Sequence, residues 1–301
     1  YKEKFNSLDA VNYDYKVRAI GSNISLDRFY SNIDPVSVIN ELIDISQPTK
    51  DDKTIFVWPE GILPDVSQEE LIEFKWLFED VFSKNHLLFI GINSQKTNKE
   101  KIDYFNSLSI YDHNLEILNF YKKINLVPFG EFLPFENILK KFGLSVITNN
   151  YQSFSSGEDR KIIDIKRDDF SLKILPLICY EIIYSGKIFK NPSFDLIVNI
   201  SEDGWFGSSI GPKQHFAHSI FRAVESGKYL LRSANNGIAA IVNPLGIVEQ
   251  KVEYGDSGYV DFKKAKKIQP TLFSKYGNKI FITLILLYIF LIFSFNRFKN
   301  E

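Results

Sequence analysis

The order of apolar runs predicts an α/β layered domain with at least one mixed sheet, followed by one membrane-spanning helix. Three observations carry that expectation. In the first third of the chain, short β-branched and aromatic runs alternate with stretches of helical period, the pattern of strands joined through helices. Toward the C-terminus, short strands succeed one another with only turn sequences between them, which adds antiparallel pairing. Finally, residues 280–295 read IFITLILLYIFLIFSF without a charge, a run just long enough to cross a bilayer.

Residues 1–14 are polar and without period, and are expected to be a tail or linker before a domain spanning 15–265. The first strand is expected from Tyr15 to Asn23. Asp34 is an N-cap followed by Pro35 at the first helical position, and Val36, Ile39, Leu42 and Ile43 then recur at helical spacing. Thr54 to Trp58 is a strand that stops at Pro59, leaving Glu60 just beyond its end. Ser67 and Glu70 have the spacing of a capping box, opening a helix expected to run to about Ser83. Leu87–Asn93, Phe105–Tyr111 and Leu115–Tyr121 read as strands, the last two joined by a hairpin turn, and Lys122 and Lys123 end that hairpin.

The segment from Ile124 to Arg160 is rich in proline and glycine and irregular, as functional arms often are. Within it, Phe129 to Phe142 sets Phe132, Leu133, Phe135, Ile138, Leu139 and Phe142 among charges. This piece is suited either to a lipid interface or to ordinary packing. Phe170 to Ile178 is a strand delivering Cys179. Asp195 to Ile200 is a buried strand and Pro212 to Glu225 a helix. Tyr229–Ser233, Ile238–Val242, Ile247–Val252 and Gly258–Phe262 are short strands with Asn-Gly and Pro-Leu-Gly turns between them.

Composition narrows the function. With 301 residues, 45% hydrophobic and 24% charged, the chain has ample material for a full core. A net charge of −1 gives no electrostatic footprint for nucleic acid. A single cysteine makes no internal disulfide, and the absence of methionine points to a fragment or processed chain. Six lysines, Lys263, Lys264, Lys266, Lys267, Lys275 and Lys279, precede the apolar run, while Arg297 and Lys299 follow it in a short basic tail, 297–301. The positive-inside rule alone would put the main domain in the cytoplasm.

Three chemically distinct groups stand at the ends of separate strands: Glu60, Lys123 and Cys179. A thiol nucleophile needs a base for its proton and a cation or donors for the oxyanion formed on acyl attack, and these residue types supply both. Read singly, Glu60 and Lys123 are equally well solvated strand ends and Cys179 a small buried hydrophobe. Strand alternation sends Lys122 and Lys123 to opposite faces. Gly207 to Gly211 matches G-x-S-x-G, but Gly204, Trp205 and Phe206 separate it from the strand that a nucleophile elbow requires. His215 and His218 lack the third ligand a zinc site needs, so a helix-surface or core role is expected for them, and no metal site. No phosphate-binding loop and no nucleotide cofactor motif is present.

Taken together, Trp58-Pro59-Glu60-Gly61, the run from Tyr121 through Lys123 to Glu131, and Ile178-Cys179-Tyr180-Glu181 resemble the Glu-Lys-Cys signature of the nitrilase superfamily. The Leu126-Val127-Pro128-Phe129-Gly130-Glu131 version is similar, within it, to the apolipoprotein N-acyltransferase family. So are Trp205-Phe206-Gly207, Gln214-His215, Arg222-Ala223-Val224-Glu225 and Asn235-Asn236-Gly237. Ser201-Glu202-Asp203-Gly204 stands where that family more usually has Ser-Asn-Asp-Ala.

The resemblance implies a nitrilase-like αββα sandwich, 15–265, followed by one C-terminal transmembrane helix, 279–296, with an N-terminal membrane region missing. It implies Glu60 as general base, Lys123 as oxyanion partner and Cys179 as nucleophile. Glu131, Glu181 and Tyr180 would support them, Trp205, Phe206 and Phe132 would shape the substrate loops, and no cofactor is needed. The implied reaction moves an acyl group from a phospholipid, through a Cys179 thioester, to the α-amine of a diacylated apolipoprotein. Its implied place is the inner membrane, catalytic domain on the periplasmic or outer face. An amidase hydrolysing small amides and a non-catalytic, membrane-tethered lipoprotein-binding relative are the competing readings.

Overall fold

Side chains alternate between the two faces of a strand, and here that alternation sorts the apolar residues into three separate cores. A computed structural model describes residues 2–31, 33–98, 101–139, 141, 143, 153–167, 170–186 and 193–299. The strands are β1 Val11–Ser22, β2 Thr54–Val57, β3 Leu63–Ser67, β4 His86–Asn98, β5 Lys101–Asp112, β6 Ile117–Lys122, β7 Ile163–Arg167, β8 Phe170–Ile178, β9 Leu196–Glu202, β10 Tyr229–Asn235, β11 Ala239–Val242, β12 Val248–Val252 and β13 Gly258–Ala265. The helices are α1 Lys2–Asn6, α2 Pro35–Ser46, α3 Lys75–Glu79, α4 Glu136–Leu139, α5 Gly211–Ser226, α6 Leu272–Tyr276 and α7 Lys279–Lys299.

The main strand order is β6-β5-β4-β2-β1-β10-β9-β8-β7, with β13 on β1 and β11 on β10. Pairing is mixed: β1, β2 and β4 run parallel, as do β8, β9 and β10, while β4, β5 and β6 pair antiparallel. Among the described residues, strand pairing joins the two halves where Gly21 and Ser22 of β1 pair with Ala234 and Asn235 of β10. Beyond that seam they face each other across a shared core containing Val17, Ile55, Val57 and Phe89 from one half and Ile174, Ile178, Val198 and Leu231 from the other. The opposite face of the first half, Phe56, Leu88 and Ile90, packs on Ile39, Leu42 and Phe78 of α2 and α3. That of the second, Leu177, Ile197 and Leu230, packs on Phe216 and Ala223 of α5. The result is helix, sheet, sheet, helix.

Local signals behave as the chain pattern predicts in most places. Asp34 caps α2 by accepting from the Val36 N–H, and Pro35 is its first residue. Three expectations need correction. First, β1 begins at Val11, inside the stretch read as a tail, because Val11 and Asn12 pair with Ala265 and Lys264 of β13. Second, Ser67 and Glu70 do form the reciprocal capping bonds, at 2.8 and 3.3 Å. However, the chain then takes a tight 3-10 turn over Glu70–Phe74 before the short α3, so no continuous helix reaches Ser83. Third, β7 was not anticipated. It is a five-residue strand whose Ile163 and Ile165 point inward on β8.

The C-terminal apolar run forms α7, and its described apolar side chains, among them Phe281, Leu284, Leu286 and Phe290, are exposed. Among the described residues, however, no helix is long and apolar enough to cross a membrane. The uncharged stretch 280–295 falls short of the about 20 residues a full crossing takes, which corrects the expectation of a complete span over 279–296. In the arm, Leu133 is buried whereas Phe135 is 80% and Ile138 57% exposed. Lys140 and Phe142 lie outside the described residues.

Candidate active site

Glu60 follows the end of β2, where the Trp58 N–H still donates to the Phe89 carbonyl of β4 at 2.8 Å. The approach there is very close: a Cβ added to Gly91 of β4 would stand 2.3 Å from the Pro59 carbonyl oxygen and 2.5 Å from the Glu60 Cα. Glycine at 91 is therefore what lets the Glu60 backbone lie against the sheet. Lys123 follows β6, its N–H donating to the Asn106 carbonyl at 2.8 Å. Alternation turns Lys123 inward, 1% exposed, while the Lys122 ammonium lies out over the Phe105 ring at 3.6 Å. Cys179 follows β8 and starts a 3-10 turn, Cys179–Ile183, with φ +44°. Residues with a Cβ rarely adopt that left-handed backbone, and it concentrates at functional sites.

These three strand ends converge. The Lys123 Nζ donates to Glu60 Oε1 and to Glu131 Oε1, each at 2.9 Å. Asn106 Nδ2 bridges the same two oxygens at 2.7 Å each. Glu60 Oε2 accepts from the Glu202 N–H at 2.9 Å, and Glu131 Oε2 from the Val127 N–H at 2.8 Å. Burial disfavours the Lys123 charge, but Glu131 and Glu60 outweigh it and hold the ammonium well above its ordinary pKa. Burial and then Glu60 push the Cys179 thiol well up, against the pull of Lys123. At neutral pH the thiol therefore keeps its proton until a base removes it. The cluster forms the floor of a cavity of about 790 Å³ whose walls include Phe29, Val127, Phe129, Phe154, Trp205 and Phe206.

The other residues singled out in the sequence divide. Glu131 joins the cluster directly, and Tyr180, Trp205 and Phe206 line the cavity. Phe132 does not line it; its neighbour Phe129 does, while the Phe132 carbonyl accepts from the Phe129 N–H. Glu181 is fully buried on the far side of the turn. Its Oε1 accepts from the Tyr121 hydroxyl at 2.8 Å and the Ile124 N–H at 3.0 Å, and its Oε2 from the Ile178 N–H at 2.9 Å. Glu181 thus ties the end of β8 to the chain leaving β6, and so fixes the thiol strand relative to Lys123. Ser209 sits on an exposed turn, its hydroxyl donating to the Phe206 carbonyl at 2.7 Å and accepting from the Gly211 N–H at 3.0 Å.

Sequence reasoning missed Asn106, Asp203 and Arg232 and undervalued His215. Asp203 is buried, with Arg232 Nη2 at 2.6 Å from Oδ2 and His215 Nδ1 at 2.9 Å from Oδ1. His215 Nε2 lies 3.2 Å from the Cys179 carbonyl oxygen. The usable signal was a polar stripe on α5, His215, Ser219 and Arg222, all buried, at the spacing of one helix face. Glu202 is buried in an ion pair with Arg28 and accepts from Asn235 at 2.8 Å. Among the described residues no group of histidine, cysteine or carboxylate side chains is arranged to hold a metal ion.

Two facing sheets flanked by helices, with carboxylate, ammonium and thiol brought to one buried point between strand ends, define a nitrilase-like α/β protein. The chain belongs to the carbon-nitrogen hydrolase family, whose profile matches residues 42–259. It is 31% identical over 274 residues to an apolipoprotein N-acyltransferase of Bradyrhizobium diazoefficiens, covering 87% of this chain and 50% of that protein. It is 34% identical to one of Wigglesworthia glossinidia brevipalpis, covering 87% and 52%. The chain thus spans about half the length of the curated relatives it matches. Among solved structures it is similar in fold to an amidase from Nesterenkonia sp. AN1, with a TM-score of 0.54, 15% identity, and 84% and 91% of the two chains covered. It is also similar to a glutamine-dependent NAD+ synthetase from Acinetobacter baumannii, with a TM-score of 0.58, 12% identity, and 88% and 49% covered.

Proposed function

We propose that the chain carries the catalytic domain of an N-acyltransferase that moves a fatty acyl group from a phospholipid to the N-terminal amine of a diacylglyceryl-cysteine lipoprotein. The observation that carries this reading is the buried Glu60–Lys123–Glu131 cluster at the floor of a large, mostly apolar cavity that also holds Cys179. In the first half-reaction Glu60 takes the thiol proton and the Cys179 sulfur attacks the ester carbonyl. The Lys123 ammonium stands against the oxyanion that forms. Collapse breaks the ester C–O bond, and the proton on Glu60 leaves with the lysophospholipid alcohol. The acyl group is left as a thioester. In the second half-reaction the lipoprotein amine attacks that thioester and gives its proton to Glu60; the C–S bond breaks, Glu60 returns that proton to the Cys179 sulfur, and the amide is released.

A buried thiol with a raised pKa suits such a cycle, since it is inert until a base and an acyl carbonyl are both in place. The apolar walls accommodate acyl chains and keep water from the thioester. Names of the relatives support the lipoprotein acceptor. Support for a membrane setting comes from α7, whose described apolar side chains are exposed over its whole length. We place the protein at the inner membrane, with the catalytic domain on its periplasmic or outer face and the apolar side chains of α7 against lipid.

Membranes containing the protein, incubated with phospholipid and a diacylated lipopeptide, test this by mass spectrometry. An acyl adduct of Cys179 and a triacylated product are expected. Absence of both overturns the reading, and hydrolysis of small amides without lipid product favours the amidase.

A further inference from the structure

His215 lies beneath the thiol-bearing residue, with a polar group against each ring nitrogen. The ring is 5% exposed. Nδ1 faces Asp203 Oδ1 at 2.9 Å and Nε2 faces the carbonyl oxygen of Cys179 at 3.2 Å. A carboxylate and a peptide carbonyl both accept. An Nε2–H donates to that carbonyl, while Nδ1 lies between the Asp203 carboxylate and the Arg232 guanidinium, whose Nη2 is 3.3 Å away. We propose that His215 acts as a positioning residue, donating from Nε2 to the Cys179 carbonyl and thereby locking the left-handed backbone that presents the thiol.

The groups facing the ring come from four elements. Asp203, after β9, faces Nδ1. Arg232 of β10 places Nη2 at 2.6 and 2.8 Å from the Asp203 oxygens and 3.3 Å from His215 Nδ1. Ser201 of β9 donates to Asp203 Oδ1 at 2.8 Å, and Phe206, beyond Asp203, lays its ring centroid 5.4 Å from the imidazole. His218 lies one turn along α5, and the presence of His215 lowers its pKa beyond the effect of its own burial. The bond falls on the carbonyl of the residue with φ +44°. Without it, the peptide after Cys179 is free to relax toward the common negative φ region, carrying the sulfur away from Glu60.

The inference rests on Cys179 being the nucleophile, so the test separates the two. In histidine-selectively 15N-labelled protein, His215 should show a protonated Nε2, with His215→Gln identifying the resonance. An unprotonated Nε2 overturns the proposal, whatever the activity. His215→Gln keeps an N–H donor near the Nε2 position and should alkylate at Cys179, with iodoacetamide, within a few-fold of the unmodified protein. His215→Ala should slow alkylation and acyl transfer by about 100-fold with the phospholipid KM unchanged. Equal rates for Ala and the unmodified protein overturn the positioning role. If the alanine variant does not fold, the 15N measurement decides alone. Acyl transfer undiminished in Cys179→Ala would refute the proposed function while leaving the bond from His215 Nε2 to the residue 179 carbonyl standing.

Discussion

Gly91→Ala is a one-carbon change, outside the reacting cluster, that should disable it. The added Cβ would sit 2.3 Å from the Pro59 oxygen, 2.8 Å from the Pro59 carbonyl carbon and 2.5 Å from the Glu60 Cα. A carbon–oxygen contact settles at about 3.3 Å or more, so the Pro59–Glu60 backbone must withdraw by about 1 Å. Every atom it would meet is backbone, so no rotamer change relieves the clash. Glu60 is bonded at both oxygens, to Lys123 and Asn106 on one side and to the Glu202 N–H on the other. A shift of that size breaks or stretches all three bonds. Displacement by 1 Å typically costs about 100-fold in rate, and overpacking of this kind costs about 1–3 kcal/mol of stability. Single-turnover formation of the Cys179 thioester, alongside urea unfolding, measures both. Gly258→Ala is the control, because its Cβ would meet nothing nearer than 3.6 Å. If Gly91→Ala forms the thioester within three-fold of the control, the claim that β4 seats the base is wrong.

The remaining predictions concern the charge clusters and the thiol. Glu131→Ala strands a 1%-exposed ammonium with one carboxylate and leaves the Val127 N–H unpaired; breaking a buried pair in this way should cost about 3–5 kcal/mol in urea unfolding. Glu131→Gln keeps acceptor geometry and should cost about 1–2 kcal/mol; equal losses for the two variants would refute the ion-pair account. Cys179→Ser should unfold at the same urea concentration, within about 1 kcal/mol, yet form no acyl adduct by mass spectrometry. Burial raises the Asp203 pKa, but Arg232 and His215 outweigh it and hold it at about 2. A folded pKa below the unfolded value of about 3.9 contributes stability above pH 4 that is lost as pH falls through about 2, roughly 2–3 kcal/mol in all. The stability gap between the unmodified protein and Asp203→Asn should therefore narrow steadily below pH 4, and a constant gap would refute it.

Much of the site was legible in the chain because apolar runs stop at the reactive residues. Glu60 ends the run of β2, Lys123 that of β6 and Cys179 that of β8; the two-residue period put Lys122 and Lys123 on opposite faces, and the family spacing selected Lys123. The capping of α2 by Asp34 was legible for the same reason: its partner is two residues away. Glu181 illustrates the limit. Its place two residues after Cys179 suggested a group beside the thiol, but 3-10 turning directs it away, to Tyr121 and Ile124.

By itself, then, the sequence determined the α/β class, most strand positions and the three strand-end groups, all of which follow from periodicity and from neighbours a few residues apart. Only the tertiary structure decided that β1 starts at Val11, since its partner Ala265 lies at the other end of the domain. It also decided that two half-sheets meet at a two-pair seam, and that His215, 36 residues from Cys179, closes on its carbonyl. The physical reason is common to all three: hydrogen bonds between distant segments depend on how layers stack, and stacking leaves no period in the chain from which to read it.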